Sequence, residues 1–200
     1  MKIGIMGGTF NPIHNGHMEM ACEAAEKFGL DDILLIPTGN PPHKADDPVL
    51  SKYERYEMCL LAAAPHDNVI VSSLEIERDS TTYTIDTLNE LEASYGIRDG
   101  IYFIIGGDTV FQLETWRDFR EVFKKCSFIV FGRSGIGDGK IRDEAERLKQ
   151  EHGAEIFHVP GAISPVSSSD IRERLIRGDS IEGMVPLSVG EYIRRHNLYK

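Results

Sequence analysis

Apolar residues in this chain follow two rhythms. Near-continuous apolar runs recur at Lys2–Met6, Ile33–Pro37, Val69–Ser72, Ile101–Ile105, Ser127–Phe131 and Glu155–Val159, most of them bounded by Gly, Pro, Asp or Asn. Hydrophobicity without alternation is the pattern of strands buried on both faces of a parallel sheet. Between the runs, apolar positions take helical spacing. One helix is predicted to start near Gly16 and to run through Met18, Ala21, Cys22 and Ala25. Ser51-Lys52-Tyr53-Glu54 has capping-box spacing ahead of Met58, Leu60 and Leu61. Tyr83 to Leu88 opens a helix through Leu91 toward Tyr95, and Thr115-Trp116-Arg117-Asp118 reads as another helix start leading to Val122. Ile141–Gln150 is a charged, solvated helix, and Gly135–Lys140, with three glycines, is expected to be a surface loop. Near the C-terminus, Ser167-Ser168-Ser169 precedes an amphipathic stretch with Ile171, Leu175 and Ile176, and Gly178 is placed to end it. Ser188-Val189-Gly190-Glu191 is a second capping-box pattern.

Strands alternating with helices predict an α/β fold with a doubly wound, mostly parallel sheet. Right-handed crossovers then bring the loops after successive strands to one edge. Two hundred residues suit one domain over 1–200, with 163–200 a helical part packed on it.

Net charge is −10 with histidines neutral, which argues against a nucleic-acid partner. Cys22, Cys59 and Cys126 are odd in number and far apart, as in core thiols of a reducing compartment. The chain enters a strand at once, and no apolar run approaches membrane-spanning length. A cytoplasmic protein without a membrane partner is expected. Self-association stays open.

The densest chemistry follows the first strand, in Gly7-Gly8-Thr9-Phe10-Asn11-Pro12-Ile13-His14-Asn15-Gly16-His17. Backbone N–H groups at a strand-to-helix junction point outward, and the helix dipole favours negative charge there. Gly7 and Gly8 remove the side chains that would keep a phosphate from the backbone. His14 and His17, three residues apart, can face the same side of the helix start. A phosphate-chain site is the inference. No Gly-x4-Gly-Lys-Ser/Thr or Gly-x-Gly-x-x-Gly run competes with it. His14 and His17 lack an evident third ligand, so no protein-held metal site is expected.

Other polar clusters follow strand ends. Thr38-Gly39-Asn40-Pro41-Pro42-His43-Lys44 is stiffened by two prolines and offers a donor and a cation. After Gly106-Gly107, Asp108 either accepts from sugar hydroxyls or metal-bound water, or caps the next helix. Trp116, the single tryptophan, is either core or a face for stacking. Thr82, Tyr83 and Thr84 mark a helix N-terminus whose N–H groups can hold a carboxylate. Ser167, Ser168 and Arg172 supply hydroxyls, N–H groups and a guanidinium suited to a triphosphate tail.

His14-Asn15-Gly16-His17 resembles the His-x-Gly-His signature of nucleotidyltransferases related to class I aminoacyl-tRNA synthetases. With Pro41–Lys44, Tyr83–Leu88, Ile105–Asp108, Leu113, Trp116, Val166–Arg172 and Tyr192–Tyr199, the chain is similar to bacterial nicotinate-nucleotide adenylyltransferases over nearly its whole length. Arg78-Asp79-Ser80 departs from the family's glycine after the arginine, and Val166-Ser167-Ser168-Ser169 stands for Ile-Ser-Ser-Thr. The resemblance implies a Rossmann-like nucleotidyltransferase fold and AMP transfer from ATP to nicotinate mononucleotide. It implies catalytic roles for His14, His17, Lys44 and Arg172, and an ATP site of Gly7, Gly8, Thr9, Phe10, Gly106, Asp108, Ser167, Ser168 and Ile171. The acceptor would meet Thr38, Asn40, Thr82, Tyr83, Thr84 and Trp116, with Mg²⁺ held mainly by the ATP phosphates. Asn40–Asp47 is the loop expected to close. The rival readings are adenylyl transfer to another phosphate, such as phosphopantetheine, and a nucleotide-binding regulatory module without turnover.

Overall fold

In the computed structural model, which describes residues 1–40, 49–96, 100–132, 135–162 and 164–200, each apolar run becomes a strand. These are β1 (Ile3–Gly8), β2 (Asp32–Pro37), β3 (Val69–Val71), β4 (Ile101–Gly106), β5 (Ser127–Gly132) and β6 (Ile156–Ala162). They pair in parallel in the order β3-β2-β1-β4-β5-β6, with Ile5 beside both Leu34 and Phe103. Several strands run past their apolar stretch. Gly7 pairs with Ile36 and Gly8 with Pro37, because the ladder needs backbone groups rather than side chains.

Helices α1 (Asn15–Phe28), α2 (Lys52–Ala63), α3 (Thr84–Tyr95), α4 (Phe119–Lys125), α5 (Asp138–His152), α6 (Ser168–Arg177) and α7 (Leu187–Arg195) cover both faces. Alternate strand residues therefore enter two cores. Met6, Leu35, Ile104 and Ile129 pack with Met18 of α1, Met58 of α2, Ile171 of α6 and Ile193 of α7. Ile5, Phe103, Phe128 and Val130 pack with Leu88 of α3, Val122 of α4 and Leu148 of α5. This two-faced burial is why the runs carry no polar alternation. No helix among the described residues is long and apolar enough to cross a membrane, and all three cysteines are unpaired thiols.

Three local expectations are corrected. Thr115 closes a 3₁₀ helix (Thr109–Thr115) rather than opening an α-helix, and α4 starts only after Asp118, whose φ is 51°. The span Gly135–Lys140 is not all loop, since α5 begins at Asp138. Ser188 is not a cap. Pro186 holds the N-cap position of α7, and the Ser188 hydroxyl donates to Leu61 O of α2 at 3.0 Å, docking one helix on the other. The other caps form as the spacing predicts. The Ser51 hydroxyl accepts from Glu54 N–H at 3.2 Å, and Gly178 ends α6 in the left-handed region.

The chain end returns to its beginning. The Tyr199 hydroxyl donates to Asn11 Oδ1 at 2.9 Å, an oxygen that also accepts from Leu50 N–H at 3.3 Å. Burial pushes the Tyr199 phenol well above its ordinary pKa, so the hydroxyl keeps its proton. Replacing Tyr199 by Phe removes that bond from a buried amide. The expected loss is about 1 kcal/mol, read as a lower urea midpoint at unchanged slope. An unchanged midpoint would show that the tail does not support the turn.

Candidate active site

Strands β2 and β4 flank β1 and are reached by crossovers on opposite faces, so a crevice opens beyond the carboxyl ends of β1 and β4. Two adjoining cavities occupy it. One, of about 370 Å³, is lined by His14, His17, Asp108, Ser167, Ser168 and Ser169 among others. The second, of about 630 Å³, is lined by Gly8, Thr9, Thr38, Thr82, Tyr83 and Thr84 among others. Gly7, Phe103 and Trp116 border both.

His14 is the N-cap of α1, in extended conformation, and its own N–H donates to His17 Nδ1 at 3.2 Å. With Nδ1 accepting, a neutral His17 carries its proton on Nε2. The two rings stack at 3.6 Å. A Cβ on Gly16 would lie 3.2 Å from His14 Nδ1, so the glycine between the histidines gives the ring its place. No acidic residue stands in the first turn of α1, which leaves the positive end of the dipole for an outside anion. Phe10, at φ 47°, packs edge-on to His17 at 5.0 Å. The side chains of Phe10 and Ile171 are buried in the core, so either would meet a nucleotide only through its backbone.

The far wall of the first cavity is bolted to the β1–α1 turn. The Ser168 hydroxyl donates to Pro12 O at 2.9 Å, and Arg172 Nη1 donates to Asn11 O at 3.0 Å. Ser167 caps α6, accepting from Asp170 N–H at 3.1 Å. Arg172 does not line either cavity, and its guanidinium lies along the turn instead. Asp108 lines the first cavity and makes no side-chain cap bond to the 3₁₀ helix. Gly106 leaves room for its carboxylate, since a Cβ there would lie 2.8 Å from Asp108 Oδ1 and the side chain would have to shift.

In the second cavity, Tyr83 is the extended N-cap of α3 and makes no side-chain cap bond, while the Asp86 and Thr87 N–H groups return to Tyr83 O at 3.1 and 3.2 Å. Trp116 is half-buried. It packs edge-on against Phe103 at 5.6 Å and Phe128 at 6.2 Å, yet borders both cavities. Asn40 lines neither cavity. It staples loops together, with its carbonyl accepting from Thr82 N–H at 3.3 Å and its amide donating to Asp79 O at 3.1 Å. His43 and Lys44, with most of the expected closing loop, lie outside the described residues.

Three residues here were not singled out from sequence. Arg117, its guanidinium 4.9 Å over the Tyr83 ring, brings a cation to the second cavity. Arg55 is buried beneath the crevice. Glu75 lines the second cavity although only 8% exposed. Thr87 donates to Glu75 Oε1 at 2.6 Å, Arg78 Nη1 donates to Thr87 at 3.1 Å, and Arg78 pairs with Glu90 at 2.5 Å. Glu75 has a sequence trace, a charged residue between apolar neighbours in Leu74-Glu75-Ile76, whereas Glu54-Arg55-Tyr56 and Trp116-Arg117-Asp118 carry none.

Among the described residues, Glu114, Glu151 and His152 form the one group with metal-ligand proximity. It lies outside both cavities and closes around Arg147, which pairs with Glu151 at 2.7 Å and also with Glu114.

Burial pushes the Glu75 carboxyl above its ordinary pKa, with the Thr87 and Thr82 hydroxyls and Arg78 opposing. A raised folded pKa means that the native state holds this proton more tightly than the unfolded chain. Its stabilising contribution is complete below the ordinary carboxylate range and is lost as pH rises through the raised value. Glu75→Gln never ionises, so its melting temperature should gain on that of the wild type between mildly acidic and neutral pH. The opposite slope would show that the carboxylate is held as a favoured anion.

The cytidylyltransferase-like family model matches residues 5–174. A Thermoanaerobacter sp. (strain X514) protein named probable nicotinate-nucleotide adenylyltransferase is 40% identical over 200 residues, covering 100% of this chain and 95% of that protein. A protein of the same name from Moorella thermoacetica is 38% identical over 201 residues, covering 100% and 92%. Among solved structures, a Plasmodium falciparum nicotinic acid mononucleotide adenylyltransferase complexed with NaAD superposes with a TM-score of 0.79 at 19% identity, covering 99% of this chain and 97% of that one. At that identity the superposition speaks for the fold.

Proposed function

This chain belongs to the cytidylyltransferase-like family, among its nicotinate-nucleotide adenylyltransferases, and we propose that it transfers AMP from ATP to nicotinate mononucleotide, releasing pyrophosphate and forming the deamido dinucleotide. The observation that carries this reading is the pair of adjoining cavities sharing Gly7, Phe103 and Trp116, with the two histidines on the first. Two nucleotides placed in them would meet at their phosphates.

The attacking group is a phosphate monoester whose second pKa is about 6, so it is largely ionised at neutral pH and needs no general base. What remains is in-line alignment and neutralisation of charge on the α-phosphate and the leaving pyrophosphate. Gly7 and Gly16, which have no side chains, border the first cavity and let the phosphates approach the start of α1. His17, with Nδ1 taken by His14 N–H, donates through Nε2, and His14 stacks beside it. Ser167 and Ser168 sit opposite. Lys44 and Arg172 add positive charge, Arg172 from its place along the turn. Thr9 and Gly106 border the nucleotides, and Thr38 and Thr82 the acceptor. Trp116 stacks on the pyridine ring, while the N–H groups of Tyr83 and Thr84 receive its carboxylate, with Arg117 nearby. Donors aimed at a carboxylate disfavour a carboxamide, whose NH₂ would meet another donor.

Mg²⁺ fits the first cavity as a phosphate-held ion. Asp108 is the one carboxylate among the cavity's described lining residues, and a hard cation there takes oxygen ligands and water. It would supply charge neutralisation on the phosphates. We take the whole chain as one nucleotidyltransferase unit, with residues 163–200 packed on its sheet.

Incubation with ATP and each acceptor in turn, following pyrophosphate, tests the reading. Turnover is expected with nicotinate mononucleotide and far less with the amide or with phosphopantetheine. Binding of both nucleotides without pyrophosphate release would favour a regulatory module. His17→Ala should lower kcat by roughly 10²- to 10³-fold in a folded protein. Near-normal kcat would remove His17 from the mechanism.

A further inference from the structure

Arg55, on α2, is 1% exposed and touches neither cavity. Its guanidinium donates to three backbone carbonyls from three separate segments. Nη1 reaches Thr9 O at 2.6 Å, Nη2 reaches Gly39 O at 3.1 Å, and Nε reaches Leu50 O at 3.1 Å. Thr9 borders the second cavity and opens the turn that leads to the histidines on the first, and Gly39 follows Thr38 on the wall of the second cavity. Gly39 is itself wedged, since a Cβ there would fall 2.1 Å from Glu75 O. One side chain therefore ties the start of the turn that carries the histidines of the first cavity to the β2 side of the second.

Taking a guanidinium out of water is costly, and an apolar side chain would fill the space without that cost. The three carbonyls return something an apolar residue cannot. A trans peptide holds its C=O and N–H antiparallel, so fixing Thr9 O on Arg55 turns the Phe10 N–H away from the guanidinium. The same holds for Gly39 O and the Asn40 N–H. A buried cation on the carbonyl also polarises each peptide and strengthens its N–H as a donor.

We propose that Arg55 is a positioning residue of the transfer reaction, a clamp that fixes the spacing of the two substrate-binding halves so that acceptor phosphate and α-phosphate meet in line. This rests on the adenylyltransferase reading above.

The test uses the full chain and Arg55→Lys, which keeps the charge but cannot fork to three diverging carbonyls. Folding is checked by melting, and kcat is measured with direct binding of ATP alone, nicotinate mononucleotide alone and the dinucleotide product. The expected pattern is a kcat lower by roughly 10- to 100-fold, as for misplaced reacting groups. Each mononucleotide should bind as before, because each needs only one half. The dinucleotide spans both halves and should bind about tenfold more weakly, having lost a pre-organised site. Should Arg55→Lys fail to fold, Gly39→Ala tests the clamp from its other end, where the new Cβ must displace Gly39, and the same split is expected. Normal kcat in a folded variant overturns the clamp, as does equal weakening of all three ligands. Absence of turnover in the wild type would instead sink the functional reading.

Discussion

The turn between β1 and α1 depends on groups supplied from far along the chain. Arg55 takes the Thr9 carbonyl, Arg172 the Asn11 carbonyl and Ser168 the Pro12 carbonyl. Leu50 N–H and the Tyr199 hydroxyl both reach the Asn11 side chain. A turn that leaves a fully buried strand exposes several carbonyls to a place with little water, and each must be met. Meeting them from α2, α6 and the C-terminus holds the turn rigid. That rigidity sets the direction of the histidine pair and of the backbone N–H groups around it.

Buried polarity is concentrated at this end of the sheet. The buried polar or charged residues among those described are Asn11, His14, Arg55, Glu75, Thr82 and Thr87. All belong to the β1–α1 turn, to the wall of the second cavity, or to the contacts that link them. The rest of the two cores is apolar and closely interlocked. A partly satisfied polar network is less stable than an apolar core, and this one is confined to the end of the sheet where the cavities open. The overall charge of −10 does not oppose an anionic substrate, since the crevice offers helix N-termini, imidazoles and the Arg117 guanidinium at close range.

The two cavities differ in the recognition chemistry they offer. The first is bounded by hydroxyls, imidazoles and one carboxylate, groups that suit phosphates, ribose and metal-bound water. The second combines an aromatic face, a helix N-terminus and a cation, groups that suit a planar acid. Phe103 anchors Trp116 from the sheet, so the aromatic wall between them is part of the core and cannot drift with a loop.

The linear chain by itself determined the strands, because burial on two faces writes an unbroken apolar run. It determined the glycine and histidine turn after the first strand, because a strand-to-helix junction is written in local residues. It also determined the Ser51 and Ser167 caps, whose bonds span three residues. Only the tertiary structure decided what depends on distant partners. Arg55 meets carbonyls from segments 46 and 16 residues away, and no spacing rule reaches that far. Ser188 fits the capping pattern, yet Pro186 takes the cap and the hydroxyl finds α2. Phe10 and Ile171 neighbour site residues in sequence but turn into the core, since adjacency along a chain does not set the direction of a side chain.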